Sequence, residues 1–379
     1  MKKVFIAGAG MTKFGELWEQ DLRSLMVAAA ADALESSRLG IDEIDAIYVA
    51  NMGGSSFAGQ DHLGSLLATE LGHYVPAYRI EAACASGGLA VNTAWHALSA
   101  GLYRNVLVVG AEKMSDVSGG DVTKGLARAA DDEYEAYFGA TFPSLYAMMA
   151  RAYMHEHNAD RSDLAAVSVK NHNHGSLNPK AQFPREITQE DVLNAAMVSD
   201  PLGLLDCSPV SDGAAAVVLS TKVTSVRIAA SQVSTGSIRL HDRPSLTSID
   251  ATKRAAAAAY KQAGISVPDI SLAEVHDCFS IAELIALEDL GFAKPGDASK
   301  LIKDGTVYRD GTVPVNTSGG LKACGHPVGA TGVKQIVELY EQITGAAGKR
   351  QLKKDISFGL AHNVGGSGGT AVVTIVEHV

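Results

Sequence analysis

The sequence predicts an α/β fold made of two fused copies of one βαβαβ layer, with a long insertion in the first copy. Three observations carry this expectation. Short apolar strand patterns alternate with helical patterns up to Gly110, as in a mostly parallel sheet covered on both faces. The same order of patterns recurs from Val226 onward. Residues from about Ser115 to Leu205 fit neither copy.

The first copy opens with the strand Val4–Ala7, running into Gly8-Ala9-Gly10. A dinucleotide fingerprint needs a third glycine at position 13, where Lys13 stands, so a nucleotide site is not expected there. A helix with apolar residues at helical spacing follows over Leu22–Leu34. Then come the strand Ala46–Val49, a helix through Leu63–Leu71, a strand before Cys84, a helix over Ser86–Ala100 and the strand Val106–Gly110. In the second copy Val226–Ala230 parallels the opening strand, and Thr252–Ala263 parallels the first helix. Leu272–His276 parallels Ala46–Ala50, and Ile41-Asp42-Glu43-Ile44 is echoed by Val267-Pro268-Asp269-Ile270. The helix after His326 matches the one after Cys84, and Ile356–Leu360 matches Val106–Gly110. The division expected is therefore an N-terminal half, 1–225, holding a loop domain at about 115–205, and a C-terminal half, 226–379. An insertion of that length suits a lid over the site.

Composition narrows the function. The chain has 379 residues, 46% of them hydrophobic, enough for a large core. A formal charge of −10 argues against nonspecific nucleic-acid binding, which needs a positive field. The four cysteines form no C-x-x-C pair, which disfavours zinc. No leader-like or membrane-length apolar run is evident, so the expected location is the cytoplasm, with reduced thiols.

Three of the four cysteines sit in short runs beside glycine or histidine, at strand ends or helix starts. Cys84 precedes Ser86-Gly87-Gly88 and a helix. The backbone dipole and free N–H groups there favour a thiolate nucleophile, the alternative being a small buried hydrophobe. His326, held between Gly325 and Pro327, can take a thiol proton or donate to an oxyanion. His276 and Cys278 flank Asp277 just past a strand end, as a catalytic or merely polar cluster. Cys324 is a further thiol within reach of the His326 turn, while Cys207 reads as structural. Gly365-Gly366-Ser367-Gly368-Gly369 lies between two strands, where its N–H groups can form half of an oxyanion hole. His172 and His174, in what reads as a polar loop, and His155 with His157 do not make a metal site.

Taken in order, Cys84-Ala85-Ser86, Ser211-Asp212-Gly213-Ala214-Ala215-Ala216, His276-Asp277-Cys278-Phe279, Gly325-His326-Pro327 and Asn363-Val364-Gly365-Gly366 resemble the motifs of the thiolase superfamily across essentially the whole chain. Common thiolases carry Asn-Glu-Ala-Phe in place of His276–Phe279, and Cys-x-Gly in place of Asn363-Val364-Gly365. Those departures resemble the sterol-carrier-protein-2 type and, more closely, the archaeal acetoacetyl-CoA thiolases. The segments Glu112–Val117 and Phe138–Tyr146 are similar to the archaeal group.

The resemblance implies a thiolase fold with a five-layered α-β-α-β-α core, and acetyl-CoA C-acetyltransferase activity without a permanently bound cofactor. Coenzyme A would be substrate and product. Cys84 would be the nucleophile and His326 its proton acceptor, with the Cys84 and Gly365 N–H groups forming one oxyanion hole. His276 and His326 would hold the enolate oxygen. Asn363 cannot be the α-carbon base, so Cys278 takes that part, with Cys324 as the secondary candidate. Coenzyme A would lie under the insertion, its phosphates near Lys113, Lys180 or Arg185. The implied partners are a second copy, as homodimer or homotetramer, and a 3-hydroxy-3-methylglutaryl-CoA synthase joined through a zinc-containing OB-fold bridging protein. Alternatives are a thiolase for longer-chain or sterol-type substrates and a non-catalytic acyl-CoA scaffold. Related β-ketoacyl synthases would not need a second thiol, and related 3-hydroxy-3-methylglutaryl-CoA synthases would want a glutamate base beside the nucleophile.

Overall fold

The computed structural model describes residues 2–379. The first part of the chain forms β1 (Phe5–Met11), α1 (Leu22–Ser37), β2 (Ala46–Ala50), α2 (Gly54–Phe57), α3 (Leu63–Glu70), β3 (Ala77–Ile80), α4 (Ser86–Ser99) and β4 (Asn105–Glu112). The insertion holds α5 (Gly119–Ala127), α6 (Phe142–His157), α7 (Arg161–Gly175), α8 (Gln189–Asn194), β5 (Met197–Ser199) and β6 (Leu202–Gly203), before β7 (Gly213–Ser220). The remainder forms β8 (Val226–Thr235), α9 (Asp250–Ala263), β9 (Leu272–Glu274), α10 (Ser280–Asp289), α11 (Ala298–Lys303), α12 (Gly320–Cys324), α13 (Thr331–Thr344), β10 (Phe358–Gly365) and β11 (Thr370–His378).

The strands run in the order β3-β2-β4-β7-β1-β8-β11-β10-β9. This is two similar runs placed back to back: 3-2-4-7-1 in the first is mirrored by 8-11-10-9 in the second. Their edge strands join where Phe5 of β1 pairs with Arg227 of β8, with Ile228 N–H donating to Val4 O at 2.9 Å beside it. Within each run the inner connections are parallel, β2 with β4 and β9 with β10, and the strand returning beside them is antiparallel.

Alternation along the strands explains the layers. In β4, Val106 and Val108 join one core cluster while Leu107, Val109 and Ala111 join another. Ala215, Val217 and Leu219 of β7 divide from Ala214, Ala216 and Val218 in the same way. Successive side chains leave a strand on opposite faces, so each strand must be covered on both sides. Helices α1 and α3 cover the outer face of the first run, and α9 covers the second. Helices α4 and α13 touch strands of both runs and fill the space between them. The result is the expected α-β-α-β-α stack.

Glycine permits that central layer. A Cβ on Gly87 would stand 2.7 Å from Gly332 N, and one on Gly332 would collide with Gly88 N and the Asn363 side chain. The N-terminal ends of α4 and α13 therefore abut backbone to backbone. This brings the residues just before each helix to one place.

The expected polar loop at His172 and His174 is instead helix α7, and both side chains are buried. Asp160 caps that helix, accepting from the Ser162 and Asp163 N–H groups at 2.7 and 3.3 Å. Asn171 and Lys170 on the same helix turn inward to the buried acids Asp277 and Glu283, which removes them from the solvent a polar run suggests.

Candidate active site

Cys84 sits in the turn between β3 and α4, two residues before the helix begins. The turn is held tightly. Ser86 Oγ donates to Ala83 O at 2.6 Å and accepts from Ala82 N–H at 2.9 Å, closing a loop around Cys84. Ala83 carries φ of 51°, a left-handed conformation unusual for a residue with a Cβ, and this presents the next side chain outward. Cys84 is half-buried and lines a cavity of about 380 Å³.

The same cavity wall includes Cys278, His326, Tyr146, Phe279 and Gly366. Val122, Leu126 and Phe142 of the insertion close it from above. His276 stands against this group: one ring nitrogen of each histidine and the Cys84 sulfur lie within 4.8 Å of one another. The two rings meet edge to face, 5.2 Å between centroids.

Each histidine is held by one hydrogen bond on Nδ1. His326 Nδ1 lies 2.7 Å from Thr331 Oγ1, whose hydroxyl donates to Pro327 O at 3.1 Å. A carbonyl oxygen can only accept, so the hydroxyl proton is committed there and the imidazole Nδ1–H donates to Thr331. The bare nitrogen of His326 is then Nε2, suited to taking a thiol proton. His276 Nδ1 lies 3.3 Å from Asn363 Nδ2, and its Nε2 is buried without a partner among the described residues.

Burial sets the protonation states. It pushes His326 down to about 3, helped by the Lys334 ammonium, and holds His276 well below its ordinary value, with repulsion from His326 adding to the effect. Both are neutral at pH 7. The Cys84 thiol is pushed up to about 12 by burial, against the pull of the Gly366 N–H. This corrects the expectation of a thiolate lowered by the helix end: desolvation outweighs the dipole, so Cys84 rests as a thiol and needs a base. Cys278 is raised too, by burial first and then by Cys84, with the Tyr146 hydroxyl and the Lys322 ammonium opposing.

Three further expectations are revised by the geometry. Cys324 does not line the cavity. It is fully buried on the far side of the His326 turn, where Asn178 Nδ2 donates to its sulfur at 3.6 Å. It is thus out of place as a second base. Cys207, read as structural, does line the cavity beside Phe279. Lys113 is buried and paired with Asp212 and Asp116, both at 2.8 Å, so it is not available to a phosphate. Lys180 Nζ is spent on Met11 O at 2.7 Å, Arg185 lies over Phe183, and neither lines the cavity.

Asp277 orients neither neighbour. It accepts from Leu321 N–H at 2.7 Å and from Asn171 Nδ2 at 2.7 Å, anchoring the start of α12. Gly365 packs against Ala82 at the end of β10, and the next residue, Gly366, presents its N–H to Cys84. A buried glutamate also stands near the nucleophile. Glu112 accepts from Asn51, Met52, Gly53 and Gly329, which ties the turn after His326 to β4 rather than offering a base to the cavity.

Sequence reasoning missed Tyr146, Thr331 and the part played by Asn363. Tyr146 donates to Gly366 O at 3.0 Å and stacks on Phe279. It comes from the insertion, and no local motif connects it with a glycine loop so far along the chain. Thr331 was visible five residues after His326, within one turn-and-helix segment.

A fold of two mirrored runs, with a cysteine and a histidine at the abutting ends of its central helices, defines a condensing-type acyl-transfer scaffold. The chain belongs to the thiolase family: a family model described as "Thiolase, N-terminal domain" matches residues 4–223, and one described as "Thiolase C-terminal domain-like" matches 231–378. It is 49% identical to "Acetyl-CoA acetyltransferase" of Methanothermobacter thermautotrophicus, over 99% of each chain. It is 46% identical to the protein of the same name from Methanocaldococcus jannaschii, over 100% of this chain and 99% of the other. Among solved structures it is similar to "Ltp2-ChsH2(DUF35) aldolase", with a TM-score of 0.86 at 26% identity, over 99% and 98% of the two chains.

Proposed function

We propose that this protein is an acetyl-CoA C-acetyltransferase, joining two acetyl-CoA into acetoacetyl-CoA and CoA, and running the reverse thiolysis, through an acyl-cysteine. The observation that carries this reading is the placing of Cys84, Cys278 and His326 on one cavity wall, with His276 beside them. Two thiols are what this chemistry requires: one to carry the acyl group, one to take a proton from carbon.

In the first half-reaction the Cys84 sulfur attacks the thioester carbonyl as its proton passes to Nε2 of His326. The tetrahedral oxyanion is held by the N–H groups of Cys84 and of Gly366, whose N–H faces the thiol, in place of the expected Gly365. The CoA sulfur leaves with the proton held by His326, and Cys84 is acylated. In the second half-reaction Cys278, a thiol at rest, passes its proton to the bare Nε2 of His326, and the thiolate so formed removes a proton from the α-carbon of acetyl-CoA. His276 donates to the enolate oxygen, joined by His326 when that ring is protonated. The enolate carbon attacks the acyl-Cys84 carbonyl, and the Cys84 thiolate departs and takes up the proton held by His326. A donor aimed at such an oxygen in a water-poor site contributes about 3 kcal/mol to the rate step.

The apolar wall supports binding of the pantetheine arm and acyl group of CoA. No Lys or Arg is among the residues lining the cavity, so the nucleotide end of CoA is bound outside it. All four cysteines are free, as this chemistry and a cytoplasmic location require. Condensation is uphill unless a following step drains the product. We therefore keep the pairing with a 3-hydroxy-3-methylglutaryl-CoA synthase through an OB-fold bridging protein, and a homodimer or homotetramer, as part of this reading. A structural relative named together with ChsH2(DUF35) supports a chain of this fold taking a partner. The division proposed is 1–225 and 226–379, with 115–205 as the loop domain over the cavity.

The test is CoA-dependent loss of acetoacetyl-CoA by the purified protein and by Cys84→Ala, with mass spectrometry of the protein after acetyl-CoA. Activity and an acetyl mass on Cys84, both abolished by the substitution, are expected. Activity only on longer 3-oxoacyl-CoA would replace the substrate. An absence of any acetyl adduct would replace the enzyme with a scaffold.

A further inference from the structure

Cys84, His276 and His326 together have the ligand set of a zinc-type site, one sulfur and two imidazole nitrogens within 4.8 Å of one another. Whether His276 acts as a ligand or as a hydrogen-bond donor depends on which of its nitrogens carries the proton.

Asn363 decides this. Its Oδ1 accepts from Gly88 N–H at 3.0 Å, and its Nδ2 donates to Cys84 O at 2.9 Å. Reversing the amide would set its NH₂ against an N–H and its oxygen against a carbonyl oxygen, so both sides hold it in one orientation. The second hydrogen of the same NH₂ is directed at His276 Nδ1, 3.3 Å away. A nitrogen that faces an N–H donor carries its lone pair there. The ring proton of His276 is then on Nε2, and Nε2 is buried with no acceptor among the described residues.

We propose that Asn363 is a positioning residue that locks His276 in its Nε2–H tautomer, making it an oxyanion donor and keeping the Cys84–His276–His326 trio from coordinating a zinc-class cation. The donor half of this rests on the thiolase reading above, and the metal-exclusion half rests on geometry alone. Coordination through Nε2 would move the ring proton to Nδ1, directly against the Asn363 NH₂. An aspartate at 363 would invert the preference, accepting from Nδ1–H and leaving Nε2 bare toward Cys84. Carboxylate–histidine–metal sites are built that way.

The probe is Cd²⁺ alone, followed by thiolate-to-cadmium charge-transfer absorption in the unaltered protein, Asn363→Asp and Asn363→Asp/His276→Gln. Asn363→Asp is expected to bind Cd²⁺ about 10- to 100-fold more tightly than the unaltered protein, the span that such supporting partners command. The double variant should lose that gain. Equal affinity in the unaltered protein and a folded Asn363→Asp would overturn the proposal. So would a gain that survives in the double variant, since charge alone would then explain it. The unaltered protein supplies a second readout by ¹⁵N NMR of labelled histidine. His276 should show a protonated Nε2 and a bare Nδ1, and the reverse pattern would sink the assignment whether or not the variants fold. Alongside, α-proton exchange of acetyl-CoA should fall about 10²- to 10³-fold in Asn363→Asp. Exchange at the unaltered rate in that variant would remove the donor role. An unaltered protein with no thiolase activity would defeat the functional reading and leave the cadmium and NMR results to judge the lock.

Discussion

Gly88 donates its backbone N–H to Asn363 Oδ1 at 3.0 Å, although the two residues stand 275 positions apart. That bond joins the third residue of α4, the helix after Cys84, to β10, the strand that ends in the glycine loop. It is possible only because Gly332 of α13, lacking a Cβ, leaves the space between them open.

Gly332→Ala should therefore destabilise the protein. Its methyl group would be driven into Gly88 N and Asn363 Oδ1, which are fixed by hydrogen bonds and cannot yield. Overpacking of this kind costs about 1–3 kcal/mol. Denaturant unfolding should show a lower midpoint with an unchanged slope, and a midpoint equal to that of the unaltered protein would contradict the close approach described here.

The two candidate bases are separable. Cys278→Ala should still take an acetyl group on Cys84 but lose α-proton exchange on acetyl-CoA by about 10²-fold or more, the scale of a positioned base. Cys324→Ala should keep both, because Cys324 is buried behind the His326 turn and does not touch the cavity. Exchange that survives in the first variant and disappears in the second would reverse the assignment.

Thr331→Val keeps the shape of the side chain but removes the acceptor for His326 Nδ1–H. The ring is then free to present either nitrogen to Cys84. Acylation of Cys84 by acetyl-CoA should slow by about 10-fold, less than the 10²- to 10⁴-fold contributed by a general base itself. Single-turnover acetylation measured by quenched mass spectrometry reads this directly, and an unchanged rate would show that Thr331 does not set the tautomer.

A thiol pushed up to about 12 has a definite pH signature. Below that value the thiolate fraction grows tenfold for each pH unit. Alkylation of Cys84 in the free protein by iodoacetamide, resolved by peptide mass, should therefore rise log-linearly from pH 7 to pH 10 with no plateau. A plateau near neutral pH would mean a resting thiolate–imidazolium pair, and desolvation would not be the dominant influence on this cysteine.

Much of this protein is legible in its sequence. The duplicated pattern of strands and helices, the insertion, and the motif runs at Cys84, His276–Phe279 and Gly325–Pro327 are all local, and local chemistry survives in sequence. Errors arose where a side chain's neighbours come from elsewhere. The polar run at Lys170–His174 reads as solvated loop, yet it is a buried helix because Asp277 and Glu283 wait opposite it. Cys324 reads as a pocket thiol by its closeness to His326, yet α12 turns it to the other side. Cys207 has no reactive neighbour in sequence, and the pairing of its strand-like segment with Phe279 carries it to the cavity.

By itself the sequence determined the family, the two-copy plan and which residue types could carry the chemistry, because periodicity and motif spacing are properties of short segments. Only the tertiary structure decided protonation and partnership: a thiol raised by burial rather than lowered by a helix end, a bare nitrogen on His326, and an amide at Asn363 turned toward His276. Those depend on desolvation and on contacts between residues far apart in the chain. They come into being when glycine lets two helices meet.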